Sequence, residues 1–153
     1  MTPAVVATLT AVARRMRAAT RPWWIIGSGA VALHGVPLDD VHDIDVIVDR
    51  AEAVRVHAMF GVEPLTLAPD PLFRSAAFAR WAGSALPVEL IAGFEVAIDG
   101  GWWPVALRSR REMTLDGETL YVPDRVELIA LLRRIGRAKD LARATALEER
   151  EPG

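Results

Sequence analysis

Residues 23–49 have the sequence WWIIGSGAVALHGVPLDDVHDIDVIVD. The apolar residues 23–26 predict a short buried strand, which the GSG of residues 27–29 ends. Residues 30–34 then favour a helix, and a glycine follows it. Residues 43–48 begin with alternating acidic and apolar side chains and continue as an apolar run, which indicates a second strand. The stretch therefore predicts a strand–turn–helix–strand unit with polar residues at the turn and on the second strand.

Two carboxylates, Asp43 and Asp45, begin the second predicted strand. Because side chains alternate between the faces of a strand, both point to the same side, about 6–7 Å apart along the chain. Two such carboxylates repel each other and resist burial, and Mg²⁺ relieves that conflict because it prefers carboxylate oxygens. For the pair alone, a strand end with solvated aspartates is the more common arrangement.

The GSG turn has the composition of an anion-binding turn. Small residues let backbone N–H groups approach an anion at a helix start, and Ser28 adds a hydroxyl donor. An ordinary strand-to-helix turn is the alternative. The tripeptide matches neither G-x-x-x-x-G-K-[ST] nor G-x-G-x-x-G, so the corresponding nucleotide-binding fingerprints are excluded.

A third acid, Glu89, interrupts the apolar run LPVELI of residues 86–91. Val88 and Leu90 face one side of that predicted strand and Glu89 faces the other. A single acid in an apolar strand is costly unless a cation or a hydrogen-bond donor accompanies it. The alternative is an edge strand that leaves Glu89 in water.

Lys139 is the only lysine among 18 lysine and arginine residues. It lies in the run RAKD of residues 137–140, where Arg137 and Asp140 pair at i, i+3 on a helix and Lys139 points away from them. The alternative is a solvated amphipathic helix in a chain whose codon usage favours arginine.

The rest of the chain predicts an α+β fold with a mixed sheet flanked by helices and with helices at its C-terminal end. The opening helix has Thr2 as its cap and Pro3 in its first turn. Two more predicted helices begin with capping-box patterns, which are Asp49 with Glu52 and Asp124 with Glu127. The remaining predicted strands are 72–81, 86–91, 94–98, 103–107 and 119–122, and the remaining predicted helices are 49–60, one from Asp124 onward, and 137–147.

The chain has 153 residues and a mass of 16.7 kDa, which predicts one domain, 1–153, with a loose acidic tail at 148–153. Its net charge of −2 argues against a broad basic surface for nucleic acid. The absence of cysteine excludes disulfides, thiolate metal sites and cysteine nucleophiles, and fits a cytoplasmic protein. Neither a membrane span nor a secretory signal is expected.

Taken together, these segments resemble the DNA polymerase β-like nucleotidyltransferase superfamily. The Gly-Ser turn, the D-x-D strand and a later acid on another strand carry the resemblance, which covers residues 23 to about 147. GSGAVALHG with DIDV, and the downstream R-x-K-D-L helix, are most similar to the small nucleotidyltransferases related to the AbiEii toxin group. The chain departs from that pattern at Asp39 and Val41, where arginine and threonine are usual, and at Glu89, where aspartate is usual.

The resemblance implies a reaction in which NMP is transferred from an NTP such as ATP to a hydroxyl group, with release of pyrophosphate. Asp43, Asp45 and Glu89 would be the catalytic residues and would bind two Mg²⁺ ions, with Mn²⁺ as the alternative metal. Glu89 is also the candidate general base. Gly27 and Ser28 would hold the β- and γ-phosphates.

Lys139 would neutralise phosphate charge as a compact cation. The resemblance leaves the acceptor open among a protein, a tRNA and a small molecule. One alternative is a lincosamide- or aminoglycoside-type adenylyltransferase, in which a homodimer would complete the acceptor site. Another is a non-catalytic binding module or antitoxin-like partner protein, with Trp102 and Trp103 as an exposed contact or, more simply, as part of the core.

Overall fold

The computed structural model describes residues 1–150. Nine strands and five α-helices form three small sheets and their covering layers in this part of the chain. In chain order they are α1 (Pro3–Met16), β1 (Trp24–Ile26), α2 (Gly27–Leu33), β2 (Ile44–Val48), a 3₁₀ turn (Arg50–Glu52), α3 (Ala53–Phe60), β3 (Phe73–Arg74), β4 (Ala77–Trp81), β5 (Val88–Ala92), β6 (Glu95–Ile98), β7 (Gly101–Pro104), β8 (Arg111–Leu115), β9 (Glu118–Val122), α4 (Arg125–Ile135) and α5 (Ala138–Glu149).

The central sheet has the strand order β1-β2-β5-β4. Strands β2 and β5 are parallel, whereas β1 pairs with β2 and β4 pairs with β5 in the antiparallel sense. The sheet is therefore mixed, and the predicted α+β class with flanking helices is confirmed. A three-stranded sheet, β3-β6-β7, and the β8–β9 hairpin complete the strands of the described residues.

The two faces of the central sheet carry different residues. On one face Ile44, Val46 and Val48 join the main core, which α1, α2 and α4 cover. Ile47 lies on the other face, in a smaller cluster with Ile26, Phe78, Ile91 and Leu131. Because side chains alternate along β2, Asp45 shares this second face with Ile47.

Two strand predictions were wrong and one strand was not predicted. The predicted strand 103–107 overlaps β7 only at residues 103 and 104. Residues 72–81 form two strands in different sheets, since β3 pairs with β6 and β4 pairs with β5. Strand β8 had no counterpart among the predictions, because three of its five residues are exposed and its apolar alternation is limited to Met113 and Leu115. The signal that could have found it is Asp116-Gly117, where both residues have positive φ (48° and 77°) as a two-residue hairpin turn requires.

The cap of the first helix is confirmed, because the Thr2 hydroxyl accepts a hydrogen bond from the Val5 amide at 3.2 Å. The expected tail is partly helical, since α5 continues to Glu149, and its last three residues, 151–153, lie outside the described part. No helix within residues 1–150 is both long and apolar enough to cross a membrane.

Candidate active site

Three carboxylates meet on the second face of the central sheet. The parallel pairing of β2 with β5 places Asp45 directly opposite Glu89, and Asp43 immediately precedes β2 on the same side. One oxygen from each of Asp43, Asp45 and Glu89 lies within 4.8 Å of the others. Val88 and Leu90, on the opposite side of β5, are fully buried in the main core. The structure therefore brings the three predicted acids together as one cluster.

One oxygen of the central carboxylate lacks a partner. Asp45 Oδ1 is sealed from solvent and has no hydrogen-bond partner among the described residues. Burial raises the pKa of Asp45 well above its usual value, and the neighbouring Asp43 and Glu89 raise it further. Burial, followed by Glu89, also raises the pKa of Asp43. A cation between these oxygens would relieve both the repulsion and the missing hydrogen bond.

The junction between β1 and α2 packs against the same carboxylate. Gly27 has a φ of +64°, and a Cβ atom added there would lie 2.9 Å from Asp45 Oδ2. Only glycine fits this position without strain, because both the backbone angle and the close approach exclude a side chain. Residues 27–29 form the first turn of α2 and not a separate turn before it, which corrects the predicted start of that helix at residue 30.

A cleft of about 910 Å³ opens over the acid cluster. Gly27 and Ser28 line it from α2, and Lys139 lines it from the first turn of α5. Lys139 lies close enough to Asp43 to lower the pKa of that carboxyl, against the larger effect of burial. All six residues that the sequence singled out therefore surround one cleft.

Sequence reasoning missed three of the four arginines that line this cleft, Arg74, Arg80 and Arg143. Arg143 Nη2 lies 3.2 Å from Asp40 Oδ2. The extra negative charge expected from Asp40 in the loop before β2 is therefore balanced by a cation 103 residues away. Arg80 Nη2 lies 3.3 Å from Glu89 Oε1, as the antiparallel register of β4 and β5 requires. The alternation of residues 77–81 along a strand could have placed Arg80 on the face of the cleft, whereas no sequence pattern could have placed Arg143 there.

Arg137 and Asp140 form the predicted i, i+3 pair, with Arg137 Nε 2.7 Å from Asp140 Oδ2. The pair is part of a reciprocal cap, since Asp140 also accepts from the Arg137 amide at 3.2 Å. Asp140 is 1% exposed. This cap fixes the start of α5, and with it the position of Lys139 one residue before Asp140.

Aromatic side chains form the wall of the cleft away from α5. Phe73, Phe78, Phe94 and Trp102 line it. The Arg74 guanidinium lies 4.5 Å from the centre of the Trp102 ring. The neighbouring Trp103 packs against the smaller apolar cluster. One of the two tryptophans therefore helps to close the core, and the other faces the cleft.

The sequence of residues 8–70 matches the model of the aminoglycoside-2''-adenylyltransferase family. The matched segment runs from α1 past α3 and includes Asp43 and Asp45, but it ends before Glu89 and Lys139. It is less than half of the chain. No curated protein matches the sequence significantly.

Several solved structures resemble this one over nearly the whole chain. A Thermotoga maritima protein assigned as a nucleotidyltransferase superposes with a TM-score of 0.69 at 26% identity, covering 94% of this chain and 92% of its own. The lincosamide adenylyltransferase LnuA with bound lincomycin has a TM-score of 0.59 at 13% identity, with 91% and 93% covered. ANT(2'')-Ia in complex with adenylyl-2''-tobramycin has a TM-score of 0.57 at 12% identity, with 92% and 84% covered.

These similarities agree with the geometry of the molecule. The neighbours share the mixed sheet and its flanking helices over more than nine-tenths of this chain. The T. maritima protein adds sequence identity to the likeness of fold, and the family match covers the β1–α2–β2 unit that holds two of the three acids. The chain has the nucleotidyltransferase fold, and the comparisons indicate that the protein is a nucleotidyltransferase.

Proposed function

We propose that the protein is a Mg²⁺-dependent nucleotidyltransferase that transfers NMP from an NTP to a hydroxyl acceptor and releases pyrophosphate. The observation that carries the proposal is the acid cluster, in which Asp45 Oδ1 is buried without a partner beside two other carboxylates. A fold does not retain such repulsion for stability, because an unpaired buried carboxylate costs free energy. A bound cation would neutralise the repulsion between the three carboxylates.

The donor set fits Mg²⁺, with Mn²⁺ as the alternative, because all three groups offer carboxylate oxygens and no softer ligand. Asp43, Asp45 and Glu89 would hold the ions. When bound, such ions supply Lewis-acid stabilisation of phosphate charge and lower the pKa of an acceptor hydroxyl.

The triphosphate would lie between α2 and α5. Gly27 lets the chain pass close to Asp45, so the Gly27 and Ser28 backbone can approach phosphate oxygens beside the acid cluster. Ser28 adds its hydroxyl as a donor. Lys139 would neutralise phosphate charge from the other side of the cleft, since it faces Asp43 across it.

In the transfer step the acceptor hydroxyl oxygen attacks the α-phosphorus of the NTP, and the bond to the β-phosphate oxygen breaks. Glu89 takes the hydroxyl proton, and pyrophosphate leaves with the bonding electron pair. Arg80 orients Glu89 through the 3.3 Å contact between Arg80 Nη2 and Glu89 Oε1. These residues lie on neighbouring strands, which fixes their geometry.

A second candidate is antibiotic adenylylation, which the family match and the lincomycin- and tobramycin-related neighbours favour. The finer placement among AbiEii-toxin-related enzymes, with a protein or tRNA acceptor, rests on the GSGAVALHG and R-x-K-D-L segments. We further propose that residues 1–153 act as one domain.

The test is incubation of the full chain with Mg²⁺, each labelled NTP in turn and a cell extract, followed by separation of labelled protein, RNA and small molecules. Labelling that disappears in EDTA and with Asp43→Asn supports the proposal. Binding of an NTP without transfer to any fraction would point instead to a non-catalytic binding module. Absence of Mg²⁺-dependent NTP binding in calorimetry would overturn the proposal.

A further inference from the structure

Arg143 is the most deeply buried of the four arginines that line the cleft. Its side chain is 10% exposed, whereas the side chains of the other three are 38% exposed or more. Removing a guanidinium from water is costly unless hydrogen bonds replace its hydration. Among the described residues, Arg143 makes one such bond from its side chain, between Nη2 and Asp40 Oδ2 at 3.2 Å. Most of its N–H donors therefore have no partner in the protein.

The free donors of Arg143 open into the cleft. In the described part of the chain, the side-chain atoms that are both sealed from solvent and without a hydrogen bond belong to Asp45 and His57. The unpaired nitrogens of Arg143 are therefore not sealed, although the residue as a whole is buried. Because Arg143 lines the cleft, a ligand there can reach these nitrogens.

The ion pair of Arg143 is looser than that of Arg137. Arg137 donates to Asp140 from Nε at 2.7 Å and from Nη2 at 3.1 Å, and Asp140 is 1% exposed. Asp40 lies in the loop before β2, and its side chain is 52% exposed. A half-exposed carboxylate gains little from an ion pair, because water solvates it almost as well. Arg143 can therefore exchange its partner at small cost, whereas Arg137 is held by its cap.

Arg143 also lies beside the cation already assigned to phosphate. It follows Lys139 by four residues on α5, and residues four apart share one face of a helix. Both line the cleft, and the charge of each lowers the pKa of Asp43. Two cations of α5 therefore face the acid cluster from the side on which the triphosphate is proposed to lie.

From these observations, and resting on the proposed function, we infer that Arg143 is a second cation for the triphosphate of the NTP, and that Asp40 is its counter-ion until the nucleotide binds. The guanidinium exchanges Asp40 for oxygens of the β- or γ-phosphate, which its planar set of donors can bind in pairs. Asp40 therefore competes with the nucleotide for Arg143. An ion pair that served the fold alone would be kept in both states.

The first test is calorimetry on the full chain with saturating Mg²⁺, using a non-hydrolysable ATP analogue and AMP. Arg143→Met keeps the apolar part of the side chain and removes its charge. We expect it to weaken binding of the ATP analogue about tenfold, because a charge-assisted contact to phosphate is lost. Binding of AMP, which lacks the β- and γ-phosphates, should change little. Arg143→Lys should restore the analogue in part, and exposed Arg108→Met, outside the cleft, is the control.

The variant of the counter-ion should have the opposite effect. Asp40→Asn should strengthen binding of the ATP analogue about threefold, because the nucleotide no longer displaces a carboxylate from Arg143. Asp39→Asn removes the same charge from an exposed neighbour that does not line the cleft, and it should have a smaller effect. In the double variant Asp40→Asn/Arg143→Met the gain should disappear, since no guanidinium remains to be released.

The possible outcomes separate this inference from the proposed function. Binding of the ATP analogue by Arg143→Met as tightly as by wild type would overturn the inference alone. An equal loss for AMP and the analogue, or a loss of affinity in Asp40→Asn, would show that the ion pair serves only the shape of the cleft. Should Arg143→Met fail to fold, equal affinities of Asp40→Asn and Asp39→Asn would contradict the exchange. Failure of wild type to bind the analogue with Mg²⁺ would overturn the proposed function itself.

Discussion

Two carboxylates on neighbouring parts of the chain, one buried and one with a single sealed oxygen, have opposite surroundings. Glu52, at the end of the 3₁₀ turn after β2, is 5% exposed. It accepts hydrogen bonds from the Thr20 amide at 2.9 Å and the Arg21 amide at 3.3 Å, and it pairs with Arg55 at 3.0 Å. Asp45, the second residue of β2, has a sealed oxygen with no hydrogen-bond partner and two acids as neighbours.

The pKa directions follow from this difference. Burial raises the pKa of Glu52, but the hydrogen bonds from Thr20 and Arg21 outweigh it, so the pKa falls. Burial and two negative neighbours raise the pKa of Asp45 well above its usual value. A satisfied buried acid stabilises the fold, whereas an unsatisfied one costs stability and is retained where a ligand uses it. The contrast therefore separates a structural acid from a functional one.

The largest expected effect is the loss of transfer on Asp45→Asn. The variant keeps the shape of the side chain but removes the charge at the centre of the proposed metal cluster. We expect the transfer rate to fall about a thousandfold, the loss typical when one electrostatic contact to the transition state is removed. The assay is release of labelled pyrophosphate from NTP.

Asp116→Asn is the matched control, since it makes the same chemical change in the exposed β8–β9 turn. It should leave transfer intact. Comparable transfer by Asp45→Asn and Asp116→Asn would remove Asp45 from the mechanism.

The next largest expected effect is the loss of stability when Glu52, the acid that stabilises the fold, is replaced. Glu52→Ala should lower the free energy of unfolding by about 1–2 kcal/mol, because it removes the charged acceptor of the Thr20 and Arg21 amides. Glu52→Gln should cost less, since its carbonyl can still accept. Urea unfolding of both variants measures this, with exposed Glu63→Ala as the control. A loss no larger than that of the control would mean that these hydrogen bonds do not stabilise the connection before β1.

The sequence reveals the functional acids better than the structural one. Asp43 and Asp45 lie on one strand, where side-chain alternation fixes their common face, and Glu89 follows the same rule on β5. The capping-box interpretation of Glu52 was wrong, because its side chain bonds to Thr20 and Arg21, 32 and 31 residues earlier, and not back to Asp49. Such a partner depends on how α1 packs, which no local pattern records.

The other features that the sequence did not predict depend on contacts between residues far apart in the chain. Asp40 and Arg143 are joined only because α5 returns to the cleft, so the charge balance of the loop before β2 could not be predicted from its own residues. The division of residues 72–81 between two sheets likewise depends on the partner strands β5 and β6. Local periodicity predicts a strand but not the sheet to which it belongs.

The next prediction concerns Lys139, the cation that lines the cleft beside the acid cluster. Lys139→Ala should raise the Michaelis constant for NTP about tenfold, because a phosphate loses one compact cation. Lys139→Arg should restore it only in part, and neither variant should change thermal stability, since Lys139 is exposed. Arg108→Ala removes an exposed cation elsewhere and serves as the control. An unchanged Michaelis constant in Lys139→Ala would leave the arginines of the cleft to neutralise the triphosphate.

The smallest expected effect is the stability of the metal-free protein as a function of pH. A group whose folded pKa is raised opposes folding once it is ionised, and that cost is absent below its unfolded pKa, 3.8 for aspartate. As pH falls from neutral through the raised folded pKa, wild type should therefore lose this cost, while Asp45→Asn has none to lose. We expect the variant to be more stable by about 1 kcal/mol at pH 7 and by progressively less toward acid.

Urea midpoints across that range measure the difference, and added Mg²⁺ should stabilise wild type but not the variant. If the stability difference between Asp45→Asn and wild type does not change with pH, Asp45 is not destabilised by its neighbouring acids. The contrast between Asp45 and Glu52 would then be wrong.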